Sequence, residues 1–341
     1  MTGGRRGHSA DSPLEIPPRA WSDIAVRTWT RTWQDNVGLV AAGVTYYGFL
    51  ALVPMLGITV MLYGLFAEPE TVVSNVRAVT TILPPDVAVF IADQLIAAVR
   101  TTRETKGLGI GVALLVALYG GTNGAGAIII ALNIAYEEKE KRSLARFYLL
   151  AVMMTVAAVF LAVGALVATT TIALLGDFAP GASPLLVIAG KLAGYCLLTL
   201  AASAVAGTLY RFAPSREDAR WRWITPGSLF AAITWLLLSL LFSFYVTRVT
   251  DYNATYGSLG TIILLLTWIY LSAYALIFGA ELNSEIEHQT AEDSTTGAPE
   301  AMGRRGAWAA DHVAKDDEPN RSDAPSMAEA SPDAPSSRER R

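Results

Sequence analysis

Residues 257–280 read GSLGTIILLLTWIYLSAYALIFGA, 24 consecutive positions without a charge. At 1.5 Å per residue a helix of that length covers about 36 Å, more than the roughly 30 Å hydrocarbon core of a bilayer. A lone strand in lipid would leave its backbone N–H and C=O groups unsatisfied, so the stretch is predicted to be a membrane-spanning helix. Its ends are polar and unlike each other. Asp251-Tyr252-Asn253-Ala254-Thr255-Tyr256 precedes it, and Glu281-Leu282-Asn283-Ser284-Glu285 follows it.

Working outward, further apolar segments of spanning length lie at about 37–66, 108–135, 147–175, 185–210 and 225–248, and with 257–282 they make six. The connections differ in charge. The lead into the first span carries Arg5, Arg6, Arg19, Arg27 and Arg31, the second connection Lys139, Lys141, Arg142 and Arg146, and the fourth Arg211, Arg216, Arg220 and Arg222. The third connection has no Lys or Arg, and the fifth has Arg248 at its edge. This alternation predicts that both termini face the cytoplasm, because cytoplasmic loops carry the excess of basic residues. The expected fold is an all-α integral membrane protein. It is a six-transmembrane-helix bundle with an extracytoplasmic helical hairpin and a cytoplasmic N-terminal amphipathic helix.

Between the first two spans, the loop 67–107 carries apolar residues at helical spacing after Pro84-Pro85-Asp86. Two short amphipathic helices on the outer face are expected there, packing over the bundle or covering a cavity. In residues 18–36, Trp21, Ala25, Trp29 and Trp33 recur every four positions, and Asp23, Arg27, Arg31 and Asp35 recur on the opposite side. Trp on one face and Arg on the other suits a helix in the headgroup layer; packing on the cytoplasmic loops is the alternative. Residues 1–17 are expected to be a disordered lead. Residues 289–341, rich in Ala, Ser, Pro and acid, are expected to be a disordered cytoplasmic tail.

The chain is 52% hydrophobic and 16% charged, a balance that points away from an ordinary soluble domain. The net charge of −4 resides after Thr290, where 7 basic residues face 11 acidic ones, so 7 − 11 = −4. No basic field suits nucleic acid. Cys196 is the one cysteine, so no intramolecular disulfide can form. No cleavable signal peptide is evident. The three histidines, His8, His288 and His312, lie outside the apolar segments and form no metal-binding spacing, so no cofactor or metal is expected.

Polar residues inside apolar segments are the remaining candidates for function. Asn123 lies within the glycine cluster Gly120–Gly126, which suits either close helix packing or a loosened helix beside a polar cavity. Pro54 interrupts the first span two turns after Thr45, Tyr46 and Tyr47, as a packed kink or a hinge. Lys191, the one charge well inside a span, can snorkel to the headgroups or face a cavity. Glu281 and Glu285, four apart, share a helix face, repel each other and oppose the helix dipole. They call for a cation, expected from Arg142, Arg146, Arg211 or Arg222.

Several of these motifs resemble the YihY/virulence factor BrkB family of bacterial inner-membrane proteins, whose older label is ribonuclease BN. The resemblance rests on Ala41–Tyr47 with Leu52-Val53-Pro54, and on Ala131-Leu132-Asn133-Ile134-Ala135-Tyr136. It rests most on Tyr252-Asn253-Ala254-Thr255-Tyr256-Gly257-Ser258-Leu259-Gly260 with Gly279-Ala280-Glu281-Leu282-Asn283. It implies a multi-pass protein of the bacterial plasma (inner) membrane. It also implies transport or translocation of an amphiphilic, lipid-like envelope substrate, with membrane lipids as partners. A structural or partner-binding role, through the outer loop or the C-terminal tail, is the alternative. Ribonuclease activity is disfavoured by the residues, and no enzymatic role is expected.

Overall fold

The structure, a computed structural model, describes residues 7–63, 108–177, 184–248 and 258–314. The expected outer loop 67–107, Tyr252, Asn253, Tyr256 and Gly257 lie outside the described residues, as does the side chain of Lys191. In chain order the helices are α1 (Pro18–Gln34), α2 (Val37–Tyr63), α3 (Leu108–Ala135), α4 (Leu144–Asp177), α5 (Pro184–Phe212), α6 (Trp221–Arg248), α7 (Ser258–His288) and a single turn, α8 (Trp308–Asp311). The helices α3 to α7 each contain a stretch long and apolar enough to cross a membrane, five in all. The first expected span corresponds to α2, whose described apolar stretch, Val37–Leu52, is shorter. Uniform apolarity makes these segments helices, because a helix satisfies its backbone internally.

Spatial order differs from chain order. The α2 helix lies along α3 and also meets α4 and α7; α7 in turn meets α6, which carries α5 on its other side. Helix α7 is therefore central, and α1 crosses onto it. At the two sides of the bundle, α4 and α5 bury 17% and 11% of their apolar stretches, against 44% for α3, so they present apolar surface outward as a bilayer requires.

Glycines set the close approaches. In α3, Gly120 and Gly124 lie against Ala51 and the backbone of α2, while Gly121 faces Thr155 of α4. The helix α2 runs through Pro54, whose ring rests near Gly120. The glycine cluster is thus a packing seam along α2 and α4. The tightest crossing is between α6 and α7. A Cβ on Gly227 would collide with the Gly279 carbonyl oxygen, and one on Gly279 would stand 2.6 Å from the Tyr210 hydroxyl. Beyond it, Trp235 Nε1 donates to Ser272 Oγ and Trp268 Nε1 to Ser239 Oγ, tying the same two helices.

Three expectations are corrected. The lead is folded from residue 7, with Ala10 and Ile16 buried against Ile24 and Trp223. The tail is folded through residue 314. Arg305 donates to the carbonyls of Ala291, Glu292, Glu300 and Ala310, and an antiparallel bridge joins Thr295 to Ala219. These segments have no hydrophobic period; apolar contacts in the lead and tertiary hydrogen bonds in the tail order them instead. Finally, α1 has the two expected faces, but its Arg face turns to the bundle. Ala20, Ile24, Thr28 and Thr32 are buried, and Trp29 and Trp33 stand edge to face on the outside.

Gly279→Ala is expected to destabilise the protein by about 1–3 kcal/mol through overpacking. Thermal unfolding of the detergent-purified variant checks this, with Gly297→Ala excluded as a control because its φ of +113° would itself be strained. Gly43→Ala, which meets open space, is the neutral control.

Candidate functional site

The last two turns of α7 carry Glu281, Asn283, Ser284, Glu285, Glu287 and His288, all buried. Acids at a helix C-terminus oppose the macrodipole, so each needs compensation from elsewhere in the fold. Glu285 is met from α1: Arg27 Nε lies 2.6 Å from its Oε2 and Arg31 Nε 3.4 Å from its Oε1. Arg31 also pairs with Glu137, which follows α3 with a left-handed φ of 55°. His288 Nδ1 lies 3.5 Å from Glu285 Oε2. Glu287 is met from the α5–α6 connection by Arg216, at 2.6 Å, with both side chains fully buried. Arg216 lies over the Tyr136 ring, and Ser294 of the tail donates to Glu287.

Two amides join the surrounding elements. Asn283 Oδ1 accepts from Gly227 N at 2.7 Å and its Nδ2 donates to Ile224 O at 2.8 Å. These bonds bracket Pro226, which has no N–H to give the helix. Asn133 Oδ1 accepts from Ser215 N, and its Nδ2 donates to Glu140. Hydrogen bonds from Arg142 hold the Glu140 carboxyl down at about 2. Burial pushes the Tyr136 hydroxyl well above its ordinary value, and that oxygen has no hydrogen-bond partner.

A family model described as virulence factor BrkB matches residues 28–303. The chain belongs to that family. Among its relatives is the ribonuclease-like protein YfkH of Bacillus subtilis, 32% identical over 72% of this chain and 88% of its own. A UPF0761 membrane protein of Aeromonas salmonicida is 27% identical over 82% of this chain and 92% of its own. Another, from Pseudoalteromonas translucida, is 27% identical over 77% and 86%. No solved structure matches.

In this BrkB-family chain the candidate residues fall into two groups. Glu281, Glu285, Asn133, Tyr136, Gly279 and Asn283 gather at one end of the bundle. Tyr46, Pro54 and Asn123 lie along α2 and α3; Asn123 is 12 residues before the end of α3, about 18 Å away. Gly260 is buried in the first turn of α7, towards the opposite end. Lys191 falls within the first two turns or so of α5.

The expected source of compensation is corrected. Arg142 pairs with Glu140, and Arg211 lies near Asp218 and over Trp221. The cations on Glu285 come from α1, a helix the sequence suggested for lipid. Glu137 and Glu287 were not singled out because no spacing marks them, Glu287 being six residues beyond Glu281 and off its face; Asp35 and Arg216 were read only as part of a polar helix face and of a basic connection. Among the described residues no group of three or more His, Cys, Asp or Glu is arranged to hold a metal ion. At this end of the bundle an open cleft of about 380 Å³ is lined by Lys141, Arg142, Phe212, Pro214, Glu217 and Asp218, with both signs of charge on its walls.

Arg216→Ala leaves the Glu287 carboxylate buried without its cation, at an expected cost of about 3–5 kcal/mol. Arg216→Met combined with Glu287→Leu is expected to recover much of that loss, because a buried pair can be replaced by apolar volume. Comparing the unfolding temperatures of the single and double variants checks both.

Proposed function

We propose that this is a six-span protein of the bacterial inner membrane, with cytoplasmic termini, that moves an amphiphilic, lipid-like molecule across the bilayer along the exposed face of α2 and α3. One observation carries the reading. Asn123, midway along an apolar helix of membrane-crossing length, is partly exposed, and its Nδ2 donates back to Tyr119 O in its own helix. The face that holds it also exposes Tyr119, with Leu115 and Ile130 beyond. An amide turned toward pure hydrocarbon costs several kcal/mol, so this face suits water or a polar headgroup in transit. Tyr46 on the neighbouring α2 adds another exposed hydroxyl-bearing ring.

The topology draws support from the ionic joint. The α3–α4 connection, the α5–α6 connection, the N-terminal segment and the tail all meet at one end, through Trp308 N to Glu138, Lys141 N to Ser215, Arg220 N to Ser294 and Ala291 N to His8. That is the end whose connections carry the excess of basic residues, which favours the cytoplasm. Ribonuclease chemistry is outside this reading, since Glu285 is engaged by Arg27 and Arg31 and Glu287 by the buried Arg216.

Asn123→Leu is expected to slow the transbilayer movement of a fluorescent phospholipid in reconstituted vesicles by about tenfold, the equivalent of one polar contact of roughly 1.4 kcal/mol. Unchanged movement, with the wild-type protein active above protein-free vesicles, would remove Asn123 from the path. No movement by the wild type would remove this substrate class.

A further inference from the structure

We propose that Asp35 and Glu281 form a proton-binding site, one proton being held between the two carboxyls and fastening α1 to α7. Glu281 is 2% exposed, and its Oε1 has no hydrogen-bond partner. Asp35, the residue that closes α1, faces it and buries an Oδ2 that also has none. Asn36, in the left-handed region at φ 50°, makes the turn into α2 that sets Asp35 there; Asn tolerates that backbone.

The charged and titratable groups around the pair can be counted by element. From α1 come Arg27 and Arg31, from α7 Glu285 and His288, and from the α3–α4 connection Glu137. Both arginines are engaged by Glu285, and Arg31 by Glu137 as well, so four carboxyls share two guanidiniums. Among the described residues no guanidinium hydrogen-bonds Asp35 or Glu281. Neighbouring like charges with buried, unpartnered oxygens disfavour each other, so one proton between them is favoured over two carboxylates. A single proton taken up from water supplies an O–H on one carboxyl and an acceptor on the other, so it satisfies both orphan oxygens. Burial, followed by the charge of Glu137, raises the Asp35 carboxyl to about 6.

The sign of the pH effect follows. A carboxyl whose folded value is raised stabilises the fold fully below its unfolded value, 3.8 for Asp35, and that contribution is lost as pH rises through about 6. Because the two groups are coupled, the steps belong to the pair. Docking of α1 therefore weakens toward alkaline pH, whatever the bundle moves.

The test uses the full-length protein in lipid nanodiscs. Infrared spectra are recorded between about pH 5 and about pH 8, and the unfolding temperature is followed over the same range. The wild type is expected to show a protonated-carboxyl C=O band and to lose a few degrees of Tm as pH rises. Glu281→Gln, close in shape to the protonated side chain, is expected to lose the band and flatten the Tm profile; Asp35→Asn is expected to flatten the profile too. A band unchanged in Glu281→Gln, or a wild-type slope retained in both variants, would overturn the proposal. So would a wild-type Tm that rises with added Na⁺ or K⁺ at constant pH with no such band, which would make the bound species a metal cation. None of these readouts involves translocation, so they stand or fall separately from the reading above.

Discussion

A carboxylate removed from water must find a cation or a proton, and the end of α7 places three glutamates under that constraint at once. Glu281, Glu285 and Glu287 are buried within two turns, at the pole of the helix dipole that disfavours them. Much of the surrounding architecture answers this demand. Helix α1 brings Arg27 and Arg31, the α5–α6 connection brings Arg216, and the tail brings Ser294. Elements far apart in the chain are held together because each supplies what α7 lacks.

The middle of the bundle follows a different rule. Lipid gives apolar side chains little reason to leave it, so helices associate there through close packing. Gly121 against Thr155, Gly120 and Gly124 against α2, and Gly227 against Gly279 provide that packing. The α6–α7 crossing belongs to both regimes. Gly279 permits the approach, and Asn283, one turn later, uses it to reach the backbone on either side of Pro226. The ionic joint can therefore form only if the glycine seam closes. Asn123 sits outside both arrangements, partly exposed on α3. That is why it, and not the joint, suggests a path for something amphiphilic.

The legible parts of the chain were those whose signal is local. Apolar length located the helices to within a few residues, apart from α7, which runs six residues past the expected 282 because Glu285 and Glu287 find partners inside the protein. The motif residues Asn133, Tyr136, Gly279 and Asn283 could be picked out, though nothing in the sequence said that they would meet. The glycine cluster was legible as an alternative between packing and a polar cavity, and the neighbours of Gly120, Gly121 and Gly124 favour packing. The folded tail was illegible because Arg305 orders it through four backbone carbonyls, an arrangement with no periodic trace.

By itself the sequence determined that this is a helical membrane protein, because hydrocarbon admits few ways to satisfy a backbone and long uncharged segments leave only the helix. It also determined which connections are basic, a property of composition. Only the tertiary structure decided which arginine meets which glutamate, that α1 turns its arginines inward, and that Asp35 and Glu281 each bury a carboxyl oxygen with no hydrogen-bond partner. Helix length and polarity arise from neighbours in the chain. Charge compensation in a dry interior depends on distances of a few ångströms between residues up to 258 positions apart, and these exist only once the bundle has closed.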